Sequence, residues 1–377
     1  MYNRREFLRD LSSATAGIFF VGCGLVDSAF GSWQAGGARQ SGGTGKRREV
    51  VIGGRRVLTV DVHCHVSISD IWDLIKDRPE AKDIPNGLAS SSDLRKVNVD
   101  ARLAQMDEMG IDVQAVSHNI GLYWAEPDLA RPLIQIQNEK IAELCAAHPD
   151  RFVGLGCVAT QHPALAVEQL EEGVKKLGMR GFIIGGSING EELSDPKFHP
   201  FWAKVEQLGT LIFIHPQGFT GAGDRTKGQP RLGGNGHLIN VIGNPLETTV
   251  ALSHLIQEGI LDRFPGLKIC AAHAGGFLPS YSSRSDQCLK TFPEDCKPLK
   301  KLPSEYLKQL YYDSIIFSNE GMRHLIAEVG ASQIVLGTDF PTRWNRNAVD
   351  RILALPGLSD AERTAMLGGT LTKLLRL

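Results

Sequence analysis

Eight apolar strand-like segments, each followed by a helical segment or loop, predict an α/β protein built as a single (β/α)8 barrel, the TIM barrel. Segments such as VLTVDV and LIFI are apolar without strict alternation, as parallel strands buried on both faces are. No GxGxxG motif follows the first strand, which argues against an open dinucleotide-binding sheet. The predicted strands are 57–65, 113–119, 152–158, 181–186, 210–216, 268–275, 310–316 and 333–339.

Glycine and proline mark the ends of the predicted helices, because glycine accepts the left-handed cap conformation and proline disfavours helix at the residue before it. The helix 99–109 ends at Gly110, and the helix 130–148 ends before Pro149. The other predicted helices are 163–177, 199–208, 245–264, 320–329, 347–355 and 360–375.

The N-terminal region differs in composition from the rest of the chain. Residues 3–9, NRREFLR, carry twin arginines ahead of an apolar stretch and resemble a twin-arginine (Tat) export signal. We therefore expect a signal peptide over 1–31, a flexible linker over 32–47 and the barrel over 48–377, in an exported, periplasmic protein. The segment FVGC also resembles a lipoprotein box, so lipid attachment at Cys23 is one alternative, and a cytoplasmic protein with an unusual tail is another.

Composition and charge exclude several classes of protein. The formal net charge is −1 and no basic block with interleaved aromatic residues occurs, so we expect no nucleic-acid partner. Hydrophobic residues form 42% of the chain and charged residues 22%, which is typical of a globular protein. No CxxC pair occurs, which argues against a zinc ribbon. Cys288 and Cys296 could pair in an exported protein, and their spacing leaves this open.

Histidines and one aspartate stand at the ends of predicted strands, the positions that surround the mouth of a barrel. His63 and His65 are two apart in the first strand, so both side chains face the same side. His215 ends the fifth strand and Asp339 ends the eighth. Together they form a three-nitrogen, one-oxygen donor set that suits one Zn²⁺, although Fe, Co or Mn accepts the same donors. Asp61, on the same face, is either structural or a support for the ligands.

His273 is the remaining histidine at a strand end, and two roles are open to it. It could be a fifth ligand, but two-metal sites of this architecture usually use a lysine at the end of strand four, and the segment GFIIGG has none. We therefore expect one metal ion, with His273 as a general acid/base that titrates near the operating pH and exchanges a proton with metal-bound water. Asp339 could share this proton transfer through its second carboxylate oxygen.

Several motifs resemble those of the amidohydrolase superfamily, in particular its amidohydrolase-2 branch. They are DVHCHV with His63 and His65, YWAEP with Trp124, RFVGLGCV, IHP with His215, NPLETTVA, HAGGFLP with His273, and GTDFP with Asp339. The resemblance covers nearly the whole barrel. It implies a mononuclear Zn²⁺ site, a non-oxidative decarboxylation or a hydrolysis, and a homodimer. It also implies that His273 is the acid/base and that Arg284 binds a substrate carboxylate.

Two long insertions, 67–98 and 218–243, are expected over the barrel mouth, where loops shape substrate choice. A decarboxylase of the branch carries an arginine-bearing segment in the first loop. The segment here reads ASSSDLRKVN, and Arg95 is the candidate to take that role. Guanidinium groups bind carboxylates well, so Arg95 and Arg284 favour an acidic substrate. Trp124 is either an aromatic wall for a planar substrate or a packing residue.

Three functions account for these residues. The first is a metal-dependent carboxy-lyase that removes CO2 from a small carboxylic acid, with proton transfer through His273 and Asp339. The alternative is a metal-dependent hydrolase that opens a lactone, ester or amide at the same site, and fold resemblance does not separate the two reactions. An exported binding protein on an inactive barrel is disfavoured, because a complete donor set accompanies a candidate acid/base.

Overall fold

The computed structural model describes residues 47–83, 99–118, 121–217, 232, 235–296, 299–342 and 344–377. The predicted signal peptide, all but the last residue of the predicted linker, the candidate acylation site Cys23 and Arg95 lie outside the described residues. None of the described helices is both long and apolar enough to cross a membrane.

In the described part of the chain, eight parallel strands form one sheet and lie in it in chain order. They are β1 (Val60–Val66), β2 (Val113–His118), β3 (Phe152–Gly156), β4 (Gly181–Ile184), β5 (Leu211–Ile214), β6 (Lys268–Ala271), β7 (Tyr311–Asp313) and β8 (Ile334–Val335). The sheet closes where β1 meets the segment after β8. There the amide of Asp339 donates to the carbonyl of His63, and the amide of His65 donates to the carbonyl of Phe340, both at 2.7 Å. The predicted (β/α)8 barrel is confirmed.

Helices return the chain between the parallel strands, as such crossovers require. They are α1 (Val99–Met109), α2 (Pro127–Ala147), α3 (Pro163–Lys175), α4 (His199–Leu208), α5 (Asn244–Gln257), α6 (Leu278–Thr291), α7 (Asn319–Val329), α8 (Ala348–Ala354), α9 (Asp360–Thr364) and α10 (Thr370–Leu375), with short helices at Trp72–Ile75 and Ile260–Arg263. The predicted helix 245–264 is interrupted at Gly259, whose φ of 75° is left-handed. A π-helical turn, Ala365–Gly369, separates α9 from α10.

The chain before the barrel differs from the prediction, which placed residue 57 in the first barrel strand. Strands Val50–Ile52 and Arg55–Val57 instead form an antiparallel hairpin, and β1 begins at Val60. Gly53 and Gly54 make the turn with φ of 56° and 77°. A two-residue turn of this kind requires positive φ at both positions, which glycine adopts without strain.

Smaller elements complete the described chain. A second antiparallel hairpin pairs Ser187–Ile188 with Glu191–Glu192 after β4. Turns of 3-10 or π type lie at Ser69–Ile71, Pro79–Asp83, Pro196–Phe198, Ile239–Gly243, His273–Gly275, Pro293–Asp295, Pro303–Gln309 and Ala331–Gln333.

Successive strand residues pack on opposite faces of the sheet, as the two-residue period of a strand requires. On β5, Leu211 and Phe213 pack in one apolar cluster, whereas Ile212 and Ile214 pack in a larger cluster that includes helix residues. Cys64, Cys157 and Cys270 are buried, form no disulfide, and pack in the core as small side chains. Cys288 and Cys296 are free thiols in this structure.

Candidate metal centre

Among the described residues, His63, His65, His215 and Asp339 form one group whose candidate ligand atoms all lie within 4.8 Å of one another. Two of these residues belong to β1, one follows β5 and one follows β8. The group therefore stands at the C-terminal ends of the strands, the face on which barrel enzymes carry their active sites. The structure brings together all four residues that the sequence predicts as ligands.

The histidine rings pack against one another in a buried setting. His63 is completely buried and His65 is 8% exposed. The ring centroid of His215 lies 4.9 Å from that of His63 and 4.8 Å from that of His65. Phe213, two residues before His215 on the same face of β5, contacts the His63 ring at 5.0 Å. Water is therefore largely excluded from one side of the group.

The hydrogen bonds of two histidines determine which ring nitrogen carries the proton. Nδ1 of His63 lies 2.6 Å from Oδ2 of Asp313, and Nδ1 of His215 lies 2.8 Å from the carbonyl oxygen of Pro216. An ionised carboxylate and a carbonyl can only accept, so Nδ1 donates in both rings. In each neutral imidazole, Nε2 then carries a lone pair that is available to a metal ion.

The same argument applies to His65, whose Nδ1 lies 3.2 Å from the hydroxyl oxygen of Ser117. That hydroxyl donates to the carbonyl of Cys64 at 3.1 Å, which leaves its oxygen to accept from His65. Ser117 stands opposite His65 in the register of β1 and β2. Sequence reasoning missed this serine, although its place at the end of the second predicted strand was a usable signal.

The two β1 histidines each leave a polar atom without a hydrogen bond in the described structure. Nε2 of His63 and Nε2 of His65 are buried and lack a hydrogen-bond partner. They lie 3.2 and 3.3 Å from Oδ1 of Asp339. Buried polar atoms almost always have partners, and a cation among these atoms would supply one. Three imidazole nitrogens and a carboxylate oxygen fit a divalent transition metal such as zinc.

Burial and neighbouring charges shift the pKa values of these groups. Burial lowers the pKa of His63, but the charge of Asp339 and the hydrogen bond to Asp313 reverse this and raise it to about 10. Burial raises the pKa of Asp339, but the charge of His63 holds it well below its usual range. Burial holds the pKa of His215 well below its ordinary value. The group thus combines an ionised carboxylate with imidazoles. Protons and a metal ion compete for the ring nitrogens of these imidazoles.

Asp313, at the end of β7, orients His63 and is itself completely buried. Its carboxylate also accepts from the backbone amides of His273 and Ala274, both at 2.8 Å. Burial raises the pKa of Asp313, but the hydrogen bond from His63 lowers it below its ordinary value, so the group stays ionised. It supports a ligand through a hydrogen bond.

We expect Asp313→Asn to weaken metal binding roughly 10–100-fold, the usual effect of removing a carboxylate that orients a histidine ligand. The asparagine keeps the shape of the side chain but loses the negative charge that holds the proton on Nδ1 of His63. Competition with a chromogenic chelator measures the metal affinity. Asp350→Asn, at an exposed position paired with Arg48, is the matched control. Equal affinities in the two variants would refute the supporting role of Asp313.

His273 lies beside the four-residue group without belonging to it. Its ring centroid is 5.2 Å from that of His63 and 5.6 Å from that of His215. Nδ1 of His273 is buried and has no hydrogen-bond partner among the described residues. Burial is the main cause that lowers the pKa of His273 to about 4, below the near-neutral value expected from the sequence. The imidazole is therefore neutral at pH 7, with a ring nitrogen free to exchange a proton.

The backbone is left-handed at two of these positions. His273 has φ of 53° and Asp339 has φ of 59°, a conformation that non-glycine residues seldom adopt. The amide of Asp339 bonds to His63, and that of His273 bonds to Asp313, so hydrogen bonds hold both backbones in place. Such strain is concentrated at functional sites, where surrounding contacts enforce it.

The carboxylate of Asp61 holds the backbone of segments that carry the ligands, and it accepts from the amide of His63 at 3.1 Å. The same carboxylate accepts from the amide of Thr338 at 3.0 Å and from the hydroxyl of Thr338 at 2.6 Å. It also accepts from the side chain of Gln114 at 3.2 Å. These bonds tie β1 to β2 and to the segment that carries Asp339. Complete burial raises the pKa of Asp61 to about 6.

In the described structure, no contact links the predicted substrate-binding residues to the metal group. Trp124 is half-buried and packs against an apolar cluster that includes Leu122 and Leu133. Arg284 is exposed on α6, and Arg95 lies outside the described residues. The roles of these three residues in substrate binding therefore stay predictions.

Comparison with known proteins adds independent information. The sequence model of an amidohydrolase family, Amidohydro_2, matches residues 60–377. A 2-amino-3-carboxymuconate-6-semialdehyde decarboxylase from Dictyostelium discoideum is 30% identical over 282 residues, which cover 74% of this chain and 76% of that protein. A gamma-resorcylate decarboxylase from Rhizobium sp. (strain MTP-10005) is 30% identical over 279 residues, which cover 70% of this chain and 83% of that protein.

A solved structure shows the same barrel. A dihydroxybenzoic acid decarboxylase from Polaromonas sp. JS666, with bound manganese and the inhibitor 2-nitroresorcinol, matches with a TM-score of 0.69. The match is 25% identical in sequence and covers 85% of this chain and 97% of that chain.

Proposed function

This chain belongs to the amidohydrolase family, and we propose that it is a metal-dependent decarboxylase of a small aromatic carboxylic acid. The observation that carries the proposal is the buried, unpartnered Nδ1 of His273 beside a three-histidine, one-aspartate group. Relatives that are named as decarboxylases support loss of CO2 over hydrolysis of a lactone, ester or amide.

The proposed cofactor is one divalent metal ion. His63, His65, His215 and Asp339 would hold it, and the donor set favours Zn²⁺. Mn²⁺, which a related solved structure contains, is the alternative. Bound there, the ion would act as a Lewis acid toward a substrate oxygen.

The residues of the chain would manage the proton. In decarboxylation the bond between the carboxyl carbon and the ring carbon breaks, CO2 leaves, and the electron pair stays on the ring carbon. A proton must then be added to that carbon. The neutral His273 and the ionised Asp339 hold no spare proton, so the proton must first be taken up from water or from a substrate hydroxyl. His273 would accept it at Nδ1, and the Asp339 oxygen that does not face the two β1 histidines would share this task, before the proton passes to the ring carbon. General acid/base groups of this kind typically contribute 10²–10⁴-fold to a rate.

The proposed reaction is tested by incubating purified protein with 2,6-dihydroxybenzoate, other hydroxybenzoates and muconate-type acids and measuring released CO2. We expect at least one of these acids to lose CO2, with formation of the corresponding ring product. A panel of lactones, esters and amides is assayed alongside. Turnover of that panel without CO2 release from any acid would replace the proposal with the hydrolase.

Removal of the metal should abolish activity and lower stability. A ligand that binds only the folded state stabilises it by about 2.7 kcal/mol at one hundred times its Kd. We expect dialysis against a chelator to lower the melting temperature and to eliminate CO2 release, and Zn²⁺ or Mn²⁺ to restore both. Calorimetric melting and the CO2 assay measure these effects. The metal content of the dialysed protein is measured by mass spectrometry. Full activity of protein that holds less than about 0.1 equivalent of any transition metal would exclude the metal-dependent reaction.

We also propose that the protein is exported by the Tat route. We further propose that it forms a homodimer, that its substrate is a small molecule, and that it has no nucleic-acid partner. Replacement of Arg4 and Arg5 together by lysine should retain the protein in the cytoplasm, whereas the unaltered chain should reach the periplasm. Cell fractionation with immunoblotting measures this distribution. Equal distributions of the two chains would refute Tat export. A palmitate-labelled product lost in a Cys23→Ala variant would instead support a lipid anchor.

A further inference from the structure

A cleft lies between the C-terminal parts of β2, β3 and β4 and the helix α2. Its walls include the apolar residues Leu122, Leu133, Ile134, Val158 and Ile183. None of the described residues that line the cleft is an Asp, Glu, Lys or Arg. An anionic ligand would therefore find no counter-charge there, whereas a neutral ring would find apolar contact.

Three polar side chains of the cleft have buried atoms without hydrogen-bond partners in the described structure. They are Nε2 of His118, both amide atoms of Gln137, and Oε1 of Gln161. His118 and Gln137 are only 2% and 1% exposed. Because buried polar atoms are normally satisfied, these unpartnered atoms indicate a ligand or ordered water that the cleft is built to hold.

The bonds that His118 and Gln161 do make determine what the remaining atoms can bind. Nδ1 of His118 donates to the carbonyl of Val66 at 3.1 Å, and burial lowers the pKa of His118 to about 4. The neutral ring then presents Nε2 as an acceptor. The amide nitrogen of Gln161 donates to the carbonyl of Ala125 at 3.0 Å, which leaves Oε1 as a second acceptor. Gln137 adds one further acceptor and an amide donor.

The cleft lies on the same strands as the metal centre. His118 directly follows Ser117, which bonds to His65. Ile184, another lining residue, accepts from the amide of His215 at 2.9 Å, and Gln217 of the lining stands two residues after that histidine. The cleft and the metal centre therefore share backbone segments, although neighbouring residues of a strand, such as Ser117 and His118, face opposite sides of the sheet.

We propose that this cleft is a binding site for a neutral, hydroxyl- or amino-substituted aromatic ring. The excess of acceptors calls for a ligand that donates hydrogen bonds, and the lack of charged lining residues selects an uncharged ring over a carboxylate. Decarboxylation of a hydroxybenzoate yields such a phenol, so the cleft receives the reaction product. That last assignment rests on the proposed function, whereas binding of a neutral phenol does not.

Titration calorimetry with phenol as the probe tests the site in metal-free and in metal-loaded protein. We expect phenol to bind saturably to both forms. In the metal-free form, the affinity for benzoate should be at least about tenfold lower than the affinity for phenol, which corresponds to about 1.4 kcal/mol of binding free energy. Gln137→Leu should lower the phenol affinity by at least about tenfold, and His118→Phe should do the same.

Gln135→Leu is the matched control, because Gln135 is exposed on the same helix and bonds to Glu139. It should leave phenol binding unchanged, and all variants should keep the metal content and cooperative melting of the parent protein. Lack of phenol binding to the parent protein would mean that the cleft holds water only. Equal affinities for phenol and benzoate, or unchanged binding in a folded Gln137→Leu variant, would also overturn the proposal. Phenol binding without CO2 release from any acid would refute the proposed reaction alone.

Discussion

His215→Ala and Asp339→Ala should each yield folded protein that fails to retain a metal ion and releases no CO2. Each variant removes one of four donors that lie within 4.8 Å of one another. Loss of a ligand should weaken binding by more than the roughly 10–100-fold that follows loss of an orienting partner. In Asp339→Ala the site also loses its only carboxylate ligand, which balances the charge of the cation. Mass spectrometry of the metal content and the CO2 assay measure both effects.

A suitable control for these variants is His324→Ala, since His324 is exposed on α7, away from the ends of the strands. It should retain the metal and the activity of the parent protein. Circular dichroism verifies that the ligand variants are folded, so that metal loss is not a consequence of unfolding. A full equivalent of tightly bound metal in either ligand variant would show that the four-residue group is not the metal site.

His273→Ala should keep one equivalent of metal and lose activity by roughly 10²–10⁴-fold, the usual contribution of a general acid/base. His273 lies 5.2 Å from His63 between ring centroids but is not a member of the ligand group. Nδ1 of His273 makes no hydrogen bond to any of the described residues, so the alanine variant loses no hydrogen bond of this atom. The fall should appear in kcat rather than in KM, because proton transfer belongs to the chemical step.

His273→Gln provides the more conservative comparison, since glutamine keeps a polar atom but has no side chain that titrates near neutral pH. It should be as inactive as the alanine variant while binding metal normally. If His273→Ala instead removes a second equivalent of metal, the site holds two ions and His273 is a ligand. If it leaves kcat unchanged, the acid/base role is wrong.

The ligand set was predictable from the sequence because its signal is local. Two histidines at a spacing of two share one face of a strand, and strand ends of a barrel converge on one mouth. His215 and Asp339 follow runs of apolar residues that could be identified as strands. These patterns require no knowledge of long-range packing, and the structure brings the four side chains together.

The contact that supports His63 was not predictable, because it depends on a pairing between distant segments. The partner of His63 is Asp313, 250 positions away on β7, and its role depends on the closure of the sheet. The pKa of His273 near 4 follows mainly from burial, which a sequence does not display. The N-terminal hairpin was missed although Gly53 and Gly54 form a typical two-residue turn signal.

The central claim is that three histidines and one aspartate bind a single metal ion at the mouth of this barrel. Anomalous diffraction from metal-loaded crystals, recorded on both sides of the absorption edge, tests it directly. The account predicts one anomalous peak, within bonding distance of Nε2 of His63, His65 and His215 and of a carboxylate oxygen of Asp339. Two peaks in the site, or a single peak elsewhere in the protein, would contradict it.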